Sequence, residues 1–205
     1  MLVAVLAVQG SFAEHEMVLK KLGISYMELR QIKDLDFSFD GLILPGGEST
    51  VQDKLLRDLG MFDILKDMIN KGLPTLATCA GLILLSDRIS NDTMQHFGTM
   101  PITVRRNAYG RQLGSFYTED DFKGIGKVPM TFIRAPYIES VRDGVEILAK
   151  VDGNIVAVRY KDQIGLSFHP ELNDDMRIHE MFLDTVRKYS EAKKKVSRRR
   201  TSKHV

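Results

Sequence analysis

An α/β fold, with an open and mostly parallel sheet flanked by helices and with antiparallel strands added to it, is what the 205-residue sequence predicts. Three observations carry this. The first half alternates short apolar runs with stretches of helical period. Several of those runs, such as LVAVLAV and LILP, are apolar without alternation, as in strands covered on both faces. From Ile102 onward the pattern changes to short strand-like runs separated by turn residues.

Taken in order, Leu2 to Val8 is the first strand, turned by Gln9-Gly10. Ser11 and Glu14 have capping-box spacing for a helix lined by Phe12, Val18, Leu19 and Leu22 and closed by Gly23. Ser25 to Leu29 is a second strand, and Phe39 to Leu44 a third that stops at Pro45-Gly46-Gly47. Helical stretches follow over Val51–Leu59 and Phe62–Ile69, and Thr75 to Thr78 is the fourth strand. In the second half, strand-like runs lie at Ile102–Val104, Gln112–Tyr117, Met130–Ile133, Val145–Lys150 and Ile155–Tyr160. Ile164 to Phe168 returns to a buried strand, and Met176 to Tyr189 is a closing amphipathic helix. Residues 1–192 read as one domain, with no internal repeat or linker.

Composition narrows the class. Hydrophobic residues make up 43% and charged residues 27%, ordinary for a globular protein. One cysteine excludes an intramolecular disulfide framework and suits a reducing, cytoplasmic setting. The apolar N-terminus lacks a basic region and is too short to span a bilayer. Seven of the 29 Lys and Arg fall between Lys193 and Val205, where there is no acid. The net charge of +2 therefore hides an acidic body and a basic tail. Residues 193–205 contain too little apolar material to pack and read as a disordered extension. Such a tail can touch nucleic acid or anionic lipid, but more often it is simply solvated; neither a nucleic-acid nor a membrane function is expected.

The chemistry concentrates at three strand ends, where open α/β sheets place ligands. After the fourth strand, Cys79 sits at a strand–turn–helix junction with Ala80-Gly81 behind it. This is the cysteine counterpart of a nucleophile elbow, with the sulfur at the positive end of a helix. A lone free cysteine is also often just a small buried hydrophobe. After the late strand, His169 and Glu171 flank Pro170, two apart and facing the same way if the chain is extended. Glu171 can then orient one ring nitrogen while the other faces Cys79, giving a nucleophile, a base and an orienter. Read otherwise, His-x-Glu is a surface turn or half of a metal site, although no second cysteine or spaced histidine pair completes one. His15, His96, His179 and His204 read as structural or solvated. After the third strand, Gly46-Gly47 lets backbone N–H groups turn toward a ligand, and with the Ala80 N–H these could form an oxyanion hole.

These residues resemble the class I (triad) glutamine amidotransferases, and within them the glutaminase branch of ribose-5-phosphate-dependent pyridoxal 5′-phosphate synthases. The resemblance runs from Met1 to Tyr189 through VQG (8–10), Glu14-His15, LILPGGEST (42–50), ATCAGLILL (77–85), RRNAYGRQ (105–112), FIRAP (132–136) and SFHPEL (167–172). It implies a flavodoxin-like three-layer fold and a glutaminase with Cys79 as nucleophile, His169 as general base and acid, and Glu171 as orienter. Gly47 and Ala80 become the oxyanion donors. Gly46, Gly47, Glu48, Ser49, Arg106, Ile133 and Arg134 become the contacts for L-glutamine. A guanidinium at Arg106 suits an α-carboxylate. No metal or cofactor is implied for this subunit. The implied partner is a (β/α)8-barrel synthase subunit, twelve of each in the complex, which receives the ammonia.

Other readings remain at this stage. The same glutaminase chemistry could serve another pathway, such as imidazole glycerol phosphate synthesis. The fold could persist as a non-enzymatic binding module, or the chain could be a cysteine peptidase or esterase of related fold. The narrow motifs, the complete Cys–His–Glu set and the arginines suited to a free amino acid argue against each in turn.

Overall fold

The structure is a computed structural model; it describes residues 1–106 and 114–201, with side chains through residue 195. Ten strands form one sheet in the order β2-β1-β3-β4-β12-β11-β9-β6-β5, with β10 paired to β11. The parallel half comprises β1 (Leu2–Leu6), β2 (Ser25–Leu29), β3 (Gly41–Leu44), β4 (Thr75–Thr78) and β12 (Gln163–Leu166). Beyond β12 come the antiparallel partners β11 (Asn154–Tyr160) and β9 (Tyr137–Val141). Next in the sheet are β6 (Met100–Arg105) and, parallel to it, β5 (Ser86–Ile89) at the edge, while β10 (Val145–Val151) branches from β11. A separate hairpin joins β7 (Ser115–Phe122) to β8 (Gly126–Ile133).

Both faces of the sheet are covered because its strands are apolar on both sides. On β1, Ala4 and Leu6 face one core while Val3 and Val5 face the other, the two-residue alternation of a pleated strand. The first core packs under α2 (Ser49–Asp58), α3 (Phe62–Asn70) and α4 (Ala80–Leu85), through Leu56, Leu65, Ile69, Leu82 and Leu84. The second lies under α1 (Phe12–Lys21), α5 (Arg177–Thr201) and the hairpin, through Leu19, Phe182, Val186, Met130 and Phe132. Each such fully buried side chain contributes about 1.5–3 kcal/mol of transfer free energy.

Several expectations change. The strands β5 and β9 were not anticipated: β5 follows directly on the six-residue α4, and ESV in β9 reads as polar. β7 runs on through Glu119, Asp120 and Asp121, whose charge masks a hairpin strand, while Gln112 and Leu113 of the expected strand lie outside the described residues. The expected capping box at Ser11 is not formed: Ser11 makes no side-chain cap, and its hydroxyl goes to Glu171 instead. A charge-assisted bond to a buried carboxylate is stronger than a neutral cap. Helix α5 runs on to Thr201, into the basic extension. Extending an existing helix avoids the cost of nucleation, and Ala, Glu, Lys and Arg are good helix formers even where nothing packs on them.

Candidate active site

Three neighbouring strands bring the three motifs together. β3, β4 and β12 lie side by side and parallel, with Leu44 opposite Ala77 and Thr78 opposite Leu166. Their carboxyl ends therefore deliver Pro45-Gly46-Gly47, Cys79 and Ser167-Phe168-His169 to one edge. The Cys79 N–H still donates to Leu166 O at 2.8 Å, so the cysteine is tied to the strand that carries the histidine.

Cys79 has φ 47° and ψ −99°, a conformation an L-residue adopts at a cost on the order of 1–3 kcal/mol. The sharp elbow this makes is packed tightly: a Cβ on Gly81 would stand 2.2 Å from Leu44 O, so only glycine lets α4 start against β3. The Cys79 side chain is nearly buried, 3.9 Å from Ile133 O, and interacts electrostatically with His169. His169 in turn donates through Nδ1 to Glu171 Oε1 at 2.7 Å. Its backbone is held on both sides: the N–H donates to Thr131 O at 2.8 Å, and Asn173 Nδ2 donates to His169 O at 3.1 Å.

The electrostatics follow from burial and pairing. Burial acts to lower the His169 pKa, but its interactions with Cys79 and Glu171 outweigh that and raise it to about 10. Burial alone would raise Glu171; the nearby His15 and the bonded His169 instead bring it down to about 2. Glu171 is thus an anion and His169 an imidazolium at neutral pH.

The glycine turn is fixed from the β1–α1 side. Ser11 N–H donates to Gly46 O at 3.0 Å, the Ser11 hydroxyl donates to Glu171 Oε1 at 2.8 Å, and Glu48 N–H donates to Gln9 Oε1 at 2.9 Å. Gln52 Nε2 donates to Gln9 O and Pro45 O. A Cβ on Gly46 would meet His169 Cε1 at 2.3 Å, and one on Gly47, with φ +155°, would meet Gln9 Oε1 at 2.4 Å. A side chain at either position would force these neighbours to move.

A cavity of about 510 Å³ opens here. Its lining includes Cys79, His169 and every residue expected to contact substrate: Gly46, Gly47, Glu48, Ser49, Arg106, Ile133 and Arg134. Arg106 is anchored by Asp92 at 2.8 Å and Thr50 at 3.2 Å; Arg134 takes a positive φ of 43° at the end of β8. Of the narrow motif after Arg106, residues 107–112 lie outside the described residues. Ala80 and Glu171 do not line the cavity, being buried beneath it. Sequence reasoning missed Gln9, Ser11 and Ile83, which also line it, and placed His15 and His179 among structural or solvated histidines. Both are fully buried next to Glu171. Among the described residues no group of three or more His, Cys, Asp or Glu could hold a metal ion, and no helix is long and apolar enough to cross a membrane.

Comparison with known proteins agrees with this geometry. The pattern of the SNO glutamine amidotransferase family matches residues 5–188. The chain belongs to that family. It is 67% identical over 186 residues to the pyridoxal 5′-phosphate synthase subunit PdxT of Desulfitobacterium hafniense (strain Y51), covering 91% of this chain and 94% of that protein. With PdxT of Streptococcus pneumoniae (strain ATCC 700669 / Spain 23F-1) it is 53% identical over 193 residues, 93% of this chain and the whole of the relative. A crystal structure of a glutamine amidotransferase superposes with a TM-score of 0.85 at 40% identity, covering 90% of this chain and 98% of the other.

Proposed function

We propose that the chain is the glutaminase subunit of a pyridoxal 5′-phosphate synthase, converting L-glutamine and water to L-glutamate and ammonia. The observation that carries the chemistry is one cavity lined by a strained cysteine, a histidine bonded to the buried Glu171, and an anchored arginine. The vitamin B6 assignment is supported by the high identity to PdxT proteins along most of the chain.

In this reading the Cys79 thiolate attacks the carboxamide carbon of glutamine. The oxyanion that forms accepts from the N–H groups of Gly47 and Ala80, the latter a first-turn donor without an intrahelical partner. The His169 imidazolium, held by Glu171, gives its proton to the departing nitrogen, and ammonia leaves. Now neutral, His169 takes a proton from water, whose oxygen attacks the γ-glutamyl thioester. Glutamate and the thiolate are released. Arg106 binds the α-carboxylate, and Glu48, Ser49, Ile133 and Arg134 hold the rest of the amino acid with Gly46. Ser49 Oγ supports this role: it is buried at the cavity wall without a hydrogen-bond partner among the described residues.

Ammonia passes to a synthase subunit, a (β/α)8 barrel assembled with this chain twelve to twelve in the cytoplasm. Docking of that subunit completes the oxyanion hole by turning the Gly46–Gly47 peptide. The test is ammonia release from glutamine by the purified chain, alone and with the cognate synthase subunit. A rise on the order of 10²–10³ in turnover is expected on adding the partner. Equal rates in both conditions would overturn the gating, and no hydrolysis in either would overturn the glutaminase reading.

A further inference from the structure

His15 and His179 take no part in the hydrolysis set out above, yet both are fully buried behind the carboxylate that holds His169. They come from the first and last helices, 164 residues apart, and meet with His15 Nδ1 3.0 Å from His179 Nε2. The other nitrogen of His15 lies 3.5 Å from Glu171 Oε2 and 3.3 Å from Thr78 Oγ1, beside the cysteine elbow. Glu171 uses Oε1 for both His169 and Ser11, while Oε2 has no hydrogen-bond partner among the described residues. His179 Nδ1 is also buried without a hydrogen-bond partner among the described residues.

These contacts decide where the protons sit. Suppose His15 carried its proton on Nδ1 and gave it to His179. Its Nε2 lone pair would then face the carboxylate, and the His179 proton would be left on a buried nitrogen with no acceptor. An orphaned buried donor and a lone pair against an anion are both costly. The opposite arrangement has neither fault. His179 Nε2–H donates to His15 Nδ1, His15 Nε2–H lies between Thr78 Oγ1 at 3.3 Å and Glu171 Oε2 at 3.5 Å, and only the His179 Nδ1 lone pair is left over. Both rings stay neutral, because burial lowers each pKa, that of His179 to about 3. A neutral donor can steady the carboxylate without cancelling the charge that His169 needs.

We propose that His15, oriented by His179, is a positioning residue for the triad: its Nε2–H fixes the second oxygen of Glu171 and, through that carboxylate, the plane of the His169 ring. This rests on the reading of Cys79, His169 and Glu171 as the catalytic set. It assigns the His15–His179 pair to transition-state alignment and not to substrate binding.

The test is steady-state glutamine hydrolysis by the full chain with its synthase subunit, comparing His15→Leu, His15→Gln, His179→Leu and His179→Gln. Leucine fills the space without a donor, and glutamine restores one. For His15→Leu, kcat should fall about 10–100-fold, the scale of a small misalignment at the reacting centre, with KM within about twofold. His15→Gln should recover most of that loss, and His179→Leu should lose several-fold where His179→Gln does not. The proposal fails if His15→Leu turns over at the wild-type rate, if leucine and glutamine are equally impaired, or if the loss lies in KM. Should thermal melting show that His15→Leu does not fold, the His179 variants decide by the same criteria. Cys79→Ala, run alongside, separates the two readings: continued ammonia release from it would overturn the triad itself, whatever the histidine variants do.

Discussion

The parallel and antiparallel halves of the sheet contribute to the cavity in different ways. From the parallel half come Gly46, Cys79 and His169, each at the end of a buried strand and fixed by backbone register and close packing. From the antiparallel half and its hairpin come Arg106, Ile133 and Arg134, at strand ends that are more exposed; Arg106 is held by side-chain bonds to Asp92 and Thr50, Ile133 by pairing with Ser115, and Arg134 by its N–H to Gly114 O. In the proposed mechanism the bond-making groups thus sit where the fold has least freedom, and Arg106 grips the substrate from a side chain free to adapt. Substitutions on the two sides should consequently differ in kind: the first side should govern kcat and the second KM.

The sharpest break in that contrast is Cys79→Ala, expected to lower kcat by at least about 10⁴-fold without unfolding the chain. Circular dichroism and an ammonia assay check it; undiminished release would remove the parallel half's claim to the chemistry. Next, Gly46→Ala should cost on the order of 10² in kcat, because the added methyl would lie 2.3 Å from His169 Cε1 and must push the ring aside. On the other side, Arg106→Ala should raise KM about 10–100-fold and leave kcat within a few-fold, as expected for losing one charge-assisted bond to bound substrate. A fall in kcat with unchanged KM would blur the division.

A smaller effect concerns stability. His15 and His179 have folded pKa values depressed below the ordinary 6.5 by burial. Their contribution is complete above pH 6.5 and is lost as pH falls below it, because the unfolded chain then binds protons the folded one refuses. Glu171, lowered to about 2, adds its own loss only below about pH 4.5. The midpoint of thermal unfolding should therefore drop between pH 6.5 and 4.5, and His179→Gln should flatten that drop. The smallest effect is expected from deleting residues 193–205, where Lys193 Nζ to Ser38 Oγ is an exposed contact. Stability should change by about 0.5 kcal/mol or less, with glutaminase activity retained. A large loss of synthase binding in gel filtration would show that this end of α5 is an interface.

Much of this was legible in the sequence because its signals are local. β2 and β4 coincide with the strands the sequence predicts over the same residues, and the three motif-bearing strand ends meet as expected. What was not legible depends on distant chain. Ser11 reads as a helix cap until Glu171, 160 residues on, offers its hydroxyl a better partner. His15 and His179 fall on helix faces like any other buried residue, and only packing of α1 and α5 beside the turn after β12 brings His15 to a carboxylate and His179 to His15. β5 and β9 are short and carry Asp, Arg, Glu and Ser, so neighbouring strands rather than their own composition define them.

Ser11 makes two of the bonds described above, its N–H to the carbonyl of Gly46 and its hydroxyl to Glu171. One residue is therefore a common fixture for the glycine turn and for the carboxylate that steers the imidazole. The two cannot be adjusted independently from that side. Any displacement of the short segment between β1 and α1 tilts both together, so in the proposed mechanism the groups that receive negative charge and the group that moves the proton go in and out of alignment as a unit.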